Sequence, residues 1–308
     1  MIKTIASCIE RRSNRLIYSQ SLIIPYCESY NNSIFVFMKG KPIMITNPIC
    51  VFDSGLGSLS IIRELKREIP QENLLYFADR SHFPYGTKQH DELRGIITNT
   101  INYLTRYKPK LIIIASTTPS LYLLDEIKKN TGVSLIGVKP PLKEACRLTK
   151  KKHIAIMATQ ASISSKALTE QIRREVPQDI LVNKINVSPV IHLVEDGTYL
   201  TNERRTFDII SHIIGDELDR KIDVVTLSST HLPFVKRYLS DLLPTVKFVD
   251  PARIVSREVK RFLISGRKLK RSGVGRLEVY VSSGKRQFEQ IIRTMGIKEP
   301  VQEISLNF

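Results

Sequence analysis

The sequence lacks a metal-ligand spacing, a disulfide framework and a membrane-length apolar run. Its four cysteines, Cys8, Cys27, Cys50 and Cys146, form no Cys-x-x-Cys pair and no Cys/His cluster. They read as reduced thiols in a cytoplasmic protein. No apolar stretch reaches the roughly 18 residues that a membrane-spanning helix requires. Acidic residues are also scarce: 30 Asp and Glu stand against 47 Lys and Arg, a formal charge of +17. A surplus of this size suits nucleic acid or an anionic surface. However, the basic residues are spread along the chain and no nucleic-acid motif accompanies them. A solvated basic surface is the favoured reading, and nucleic acid is not an expected partner. The densest cluster, Arg267-Lys268-Leu269-Lys270-Arg271, lies near Gly266 and Gly273 and reads as a loop.

What is present is ordinary globular composition, 42% hydrophobic and 25% charged over 308 residues, with room for about two domains. Residues 1–43 stand apart. Arg11, Arg12 and Arg15 precede the apolar Leu22 to Ile24, and Ile34 to Phe37 make a second short run. There is no continuous apolar core followed by a small-residue cleavage site, so the segment is not read as a signal peptide. It is expected to be a poorly ordered extension or upstream sequence, with Met38 and Met44 as plausible starts.

From Ile45 onward, short apolar runs alternate with helical patterns. Strands are expected at 49–52, 74–78, 111–115, 134–138, 153–158, 181–186, 224–227, 247–249 and 276–281. Helices are expected at 59–68, 92–106, 121–130, 165–175, 201–218, 234–243, 252–265 and 288–295. This order implies an α/β protein with parallel sheets covered on both faces. The strands read as doubly buried. The expected architecture is two similar doubly wound domains, 44–140 plus 246–308 and 141–245, with the active-site cleft between them.

In such sheets ligands bind beyond the carboxyl ends of strands. Two strand ends here carry matched polar triplets: Ser116-Thr117-Thr118 after Leu111 to Ala115, and Ser229-Thr230-His231 after Val224 to Leu227. The first strand leads into Asp53-Ser54-Gly55-Leu56-Gly57-Ser58, where glycines let backbone N–H groups approach an anion. A dinucleotide fingerprint competes for this segment, with Asp79 near the position of a ribose-binding acid. Ser60 stands at its third glycine, and Asp53 would place negative charge beside a pyrophosphate. Pro84-Tyr85-Gly86 reads either as a simple turn or as a loop whose Tyr85 and Gly86 amides hold a carboxylate. His231 is a candidate proton carrier because of its place at a strand end. Glu195 alone would be only a helix or turn carboxylate.

Taken together, these segments resemble the aspartate/glutamate racemase superfamily, most closely glutamate racemase. Cys50 to Gly57 is similar to the family's FDSGxGG, and Tyr76 to Gly86 to its YxxD…PYG. Leu193-Val194-Glu195-Asp196-Gly197 is similar to LVExG. Ala115 to Thr118 stands where the family has ACNT, and Leu227 to Pro233 where it has LGCTHYP. Asp250-Pro251-Ala252 and Ser283-Gly284 to Phe288 also fit. The resemblance covers roughly residues 45–300. It implies an acidic amino acid such as glutamate or aspartate held between two α/β halves, with no pyridoxal cofactor or metal. It also implies two thiols on opposite faces of the α-carbon, and members often pair as homodimers. Carried over by motif, the catalytic positions are Ser116, Ser229, Asp53, Glu195 and His231. Substrate contacts fall on Asp53, Ser54, Tyr85, Gly86, Thr117, Thr118, Thr230 and His231.

The departure lies at the chemistry. Both thiol positions are serine, and Thr117 replaces an asparagine. A thiol near pKa 8.5 is readily brought into working range, whereas an unactivated alcohol is far from it. The two-thiol mechanism is therefore not available to this sequence. Three readings follow: an amino-acid-binding or regulatory homologue without racemase activity, an enzyme using Ser229 as nucleophile and His231 as base, or weak racemisation with Asp53 and His231 as the proton-transfer pair. A dinucleotide-dependent oxidoreductase and a nucleic-acid-binding protein are the more distant alternatives. Cys50, inside the first strand, is expected to be core.

Overall fold

The computed structural model describes residues 45–305, all within one compact unit. The expectations for residues 1–43 lie outside the described residues. Among the described residues, ten strands build two wholly parallel sheets. The strands are β1 (Ile49–Asp53), β2 (Leu74–Ala78), β3 (Leu111–Ile114), β4 (Leu135–Gly137), β5 (His153–Ala158), β6 (Leu181–Asn186), β7 (Val224–Leu227), β8 (Lys247–Val249), β9 (Leu277–Val281) and β10 (Val301–Glu303). The first sheet has the order β10-β9-β2-β1-β3-β4 and the second β6-β5-β7-β8.

Both orders reverse direction at one place. From β1 the chain adds β2 on one side, then crosses to add β3 on the other; β5, β6 and β7 repeat this move. Such a reversal leaves a crevice at the carboxyl ends of the two flanking strands, because the crossover helices diverge there. In the first sheet those ends carry Asp53 and Ser116. In the second they carry Thr159 and Ser229.

The first sheet is the more completely covered. Every residue of β1, β2 and β3 is buried, with helices on both faces. Leu59, Ile62 and Leu65 of the helix Leu59–Glu68 bury one stripe, and Phe288, Ile291 and Ile292 of Lys285–Thr294 bury another. Their spacing of three and four residues puts them on one helical face. Pairing fixes the register: Phe52 lies opposite both Phe77 and Ile114, and the Ala115 amide donates to the Phe52 carbonyl at 2.8 Å.

Three expectations change. Strand β6 is not doubly buried. It forms an edge of the second sheet with Leu181 63% exposed, so its outer residues meet water. Strand β8 pairs with β7, so the second sheet extends to Val249, beyond the expected boundary at 245. The expected helix 121–130 is two pieces, Thr117–Tyr122 and Leu124–Asn130, and the first begins inside the Ser116 triplet. The helices Leu142–Leu148 and Ser188–Glu195 and strand β10 were not anticipated. The Ser188-Pro189 pair is the local signal for the second helix, since proline is well accommodated at a helix start.

Candidate active site

The two crevices face each other across one small pocket. Asp53, Ser54, Tyr85, Gly86, Ser116, Thr117 and Thr118 line it from the first sheet's side, and Ser229, Thr230 and His231 line it from the second. Thus all but one of the residues picked out in the sequence converge. The exception is Glu195, which ends the helix Ser188–Glu195 and stands behind His231. The pocket's space is about 50 Å³. A water needs roughly 10–15 Å³ on this measure, so this space holds a few waters. A larger cavity of about 480 Å³ near Pro140 and Pro141 is lined by none of these strand-end residues.

Glu195 is the hub behind the pocket. Its Oε1 lies 2.6 Å from His231 Nε2 and accepts the Leu56 amide at 2.5 Å, while Oε2 pairs with Arg80 Nη1 at 3.2 Å. The glycine loop after β1 therefore does offer a backbone N–H to an anion, but the anion is this protein's own carboxylate. Close approach explains the glycines. A Cβ on Gly55 would sit 1.9 Å from Glu195 Oε1, and one on Gly57 would sit 2.4 Å from Thr230 Oγ1 and 2.5 Å from the His231 ring. The loop is braced by Tyr76, whose hydroxyl donates to the Gly55 carbonyl. Ser60 Oγ reaches the Thr230 carbonyl at 2.9 Å, a second tie across the cleft. This packing removes the dinucleotide reading, as does Asp79, which is fully buried against the Tyr85 hydroxyl at 3.0 Å and His82.

On the other side of His231, Nδ1 lies 3.4 Å from Ser229 Oγ. A carboxylate only accepts, so the Glu195 contact places a proton on Nε2 and turns Nδ1 toward the serine. Burial disfavours the charged imidazolium, but the hydrogen bond and charge of Glu195, together with Asp53, outweigh it and raise the His231 pKa. Asp53 is buried beside its own Ser54 amide at 2.7 Å and receives the Thr230 hydroxyl at 3.4 Å. Burial pushes its pKa up to about 6, with His231 pulling it down and Glu195 pushing it up. Ser116 lies on the Asp53 side, and its hydroxyl acts to lower that carboxyl's pKa. Thr117 Oγ1 is buried with no partner, and Thr118 Oγ1 meets Ser162 at 3.3 Å. Arg80 and the Leu56 amide were missed in the sequence; neither has a local signal, because both matter only through Glu195.

No thiol reaches the pocket among the described residues. Cys50 is core, as expected, and burial pushes its thiol far up. No described helix is long and apolar enough to cross a membrane.

Residues 55–259 match the Asp/Glu/hydantoin racemase family. The chain is 30% identical over 264 residues to glutamate racemase of Trichodesmium erythraeum, covering 84% of this chain and 95% of that protein. It is 28% identical over 257 residues to that of Herpetosiphon aurantiacus, covering 83% and 100%. Among solved structures, it superposes with TM-score 0.74 on Thermus thermophilus glutamate racemase in complex with β-chloro-D-alanine, at 29% identity and covering 85% and 98% of the two chains. The Francisella tularensis glutamate racemase bound to D-glutamate gives TM-score 0.74, 25% identity and coverage of 85% and 98%. With its strand-end motifs in the family's order and its two sheets in the same arrangement, the chain belongs to the Asp/Glu/hydantoin racemase family and within it is glutamate racemase-like.

Proposed function

We propose that this protein binds a small acidic amino acid, glutamate or aspartate, in the cleft between its two strand-end triplets, and that it does not racemise by the two-thiol route. The observation that carries this reading is the pair Ser116 and Ser229, which line one pocket from its two sides; the motif resemblance implies that these are the positions of the family's proton-transfer thiols. An unactivated hydroxyl holds its proton too tightly to serve as a general base near neutrality. The binding features remain. Thr117 Oγ1 is buried without a partner, and the raised pKa of His231 favours its charged form beside an anionic ligand. Asp53 is the carboxylate available to an ammonium group.

A second reading has a specific observation in its favour. Burial pushes the Asp53 pKa up to about 6, and Glu195 raises that of His231, so the pocket holds a carboxyl and an imidazole that can each exchange a proton. Slow abstraction of an α-proton by this pair, with the serines only holding the substrate, follows from that electrostatics.

One experiment separates the two. The protein is incubated with L- and D-glutamate and aspartate in D₂O, and α-proton exchange is followed by NMR. Exchange abolished by Asp53→Asn or His231→Ala supports the proton-transfer pair. No exchange, with glutamate still shifting the protein's resonances, supports a binding protein. Absence of both exchange and shifts sinks the acidic ligand itself.

A further inference from the structure

The turn after β7 brings together three groups that residue spacing alone would not. Residues two apart on an extended strand point the same way without meeting. Here the Leu232 amide donates to the Ser229 carbonyl at 3.2 Å, closing a turn, and His231 takes a helical conformation (φ −80°, ψ −32°). The chain folds back, and Ser229 Oγ comes to 3.4 Å from His231 Nδ1 while His231 Nε2 lies 2.6 Å from Glu195 Oε1. The order is hydroxyl, imidazole, carboxylate, with the carboxylate fixed from behind by the Leu56 amide and Arg80.

We propose that Ser229 is a nucleophile, His231 its general base and Glu195 the residue that positions His231, and that the cleft hydrolyses an ester or side-chain amide of a small acidic amino acid. The substrate class rests on the acidic-ligand reading above; the nucleophile does not. A hydroxyl becomes a useful nucleophile when a positioned base removes its proton as it attacks, and the base must be held in the tautomer that leaves its lone pair free. Glu195 does this by accepting the hydrogen bond from Nε2–H, which keeps that proton on Nε2 and leaves the Nδ1 lone pair free. The 3.4 Å contact is long for a ground-state hydrogen bond, as such contacts are in unliganded sites before closure tightens them.

In the first step the Ser229 O–H proton passes to His231 Nδ1 and Oγ bonds to the acyl carbon. The bond to the leaving alcohol or amine then breaks, and the leaving group departs with the proton from His231. Water repeats the sequence: it gives a proton to His231 and its oxygen bonds to the acyl carbon. Ser229 leaves, regains its proton, and the free acid is released. Across the cleft, the unpartnered Thr117 Oγ1 is the hydroxyl available to the substrate's oxygen.

The test is covalent labelling with a small serine-reactive fluorophosphonate, mapped by peptide mass spectrometry in the folded full-length protein. Label on Ser229, at least ~100-fold slower in His231→Ala, is the expected result. His231 faces Glu195 and Asp53, with Arg80 beyond Glu195, so wild-type labelling should rise with pH through a raised midpoint. Glu195→Gln should move that midpoint to lower pH, a shift that a purely structural role would not produce. Folded protein unlabelled at Ser229, or labelled equally fast in His231→Ala, overturns the nucleophile. Glutamate added before the probe reports the ligand class separately. Protection supports the assigned substrate, whereas labelled Ser229 with no protection overturns the substrate class and leaves the nucleophile standing.

Discussion

Ser116 and Ser229 occupy equivalent places in two sheets of the same winding, yet they differ in what lies beside them. Ser116 follows β3 and lies beside the buried carboxyl of Asp53, whose pKa its hydroxyl acts to lower. Ser229 follows β7 and faces the imidazole of His231, itself held by Glu195. A carboxylate and an imidazolium have opposite effects on a neighbouring acidic proton, negative charge making it harder to lose and positive charge easier, and a neutral imidazole can also accept that proton. Equivalent positions in the winding therefore give two hydroxyls of unequal reactivity. The halves also differ in support. Every residue of β1, β2 and β3 is buried, whereas β6 leaves one edge of the second sheet open to water.

Placing thiols at both positions is the largest perturbation of this comparison. Ser116→Cys with Ser229→Cys should raise glutamate racemisation by about 10²–10⁴-fold, the usual range for positioned acid–base groups. The optical rotation of a D-glutamate solution measures it. No gain would mean that Thr117 or the wider pocket has also diverged.

The unequal support of the sheets is tested by stability. Ile113, fully buried at the centre of the first sheet, should cost about 2–5 kcal/mol when changed to alanine. Leu181→Ala on the exposed edge of β6 should cost no more than about 0.5 kcal/mol. Urea denaturation with equal slopes for the two variants checks this, and similar losses would show that the second sheet's edge is covered in solution.

Asp53 gives a pH dependence of definite sign. The unfolded chain releases this proton near 3.8, while the folded protein keeps it to about 6. Between those values the folded form binds more protons, so stability falls as pH rises, by ~3 kcal/mol for a shift of about two units. His231 acts in the same direction, since its raised pKa stabilises the fold at low pH and that contribution fades as pH rises through the folded value. Asp53→Asn should flatten the fall between pH 4 and 6 and raise stability at pH 7. An unchanged pH profile would mean that Asp53 is not buried as a carboxyl in solution.

The smallest effect addresses the two serines directly. In single variants, Cys at 229 should be alkylated by iodoacetamide at pH 7 roughly tenfold faster than Cys at 116, because thiolate forms more readily beside an imidazolium than beside a carboxylate. Equal rates would erase the proposed asymmetry.

Much of this was legible in the chain. Strands β2, β5, β6, β7 and β8 and the helix Leu59–Glu68 fall at their expected bounds, because short apolar runs between turn signals are a local pattern. Polar residues at strand ends marked the pocket for the same reason. The exposure of β6 was not legible, since a strand's burial depends on what lies beside it, and Leu181 reads no differently from Leu111. The glycine loop was legible as a place where a backbone N–H meets an anion, but not that the anion is the Glu195 carboxylate, 139 residues away from Leu56.

The order of strands and helices, the family motifs and the serines at 116 and 229 are properties of the residues themselves, and the sequence alone determined them. Tertiary structure decided which hydroxyl meets an imidazole and which meets a carboxyl. It also decided that Glu195, Arg80 and the Leu56 amide form one cluster. Those outcomes depend on how two sheets close over one cleft. Electrostatic neighbours separated by scores of residues are set by that closure, and no local pattern encodes it.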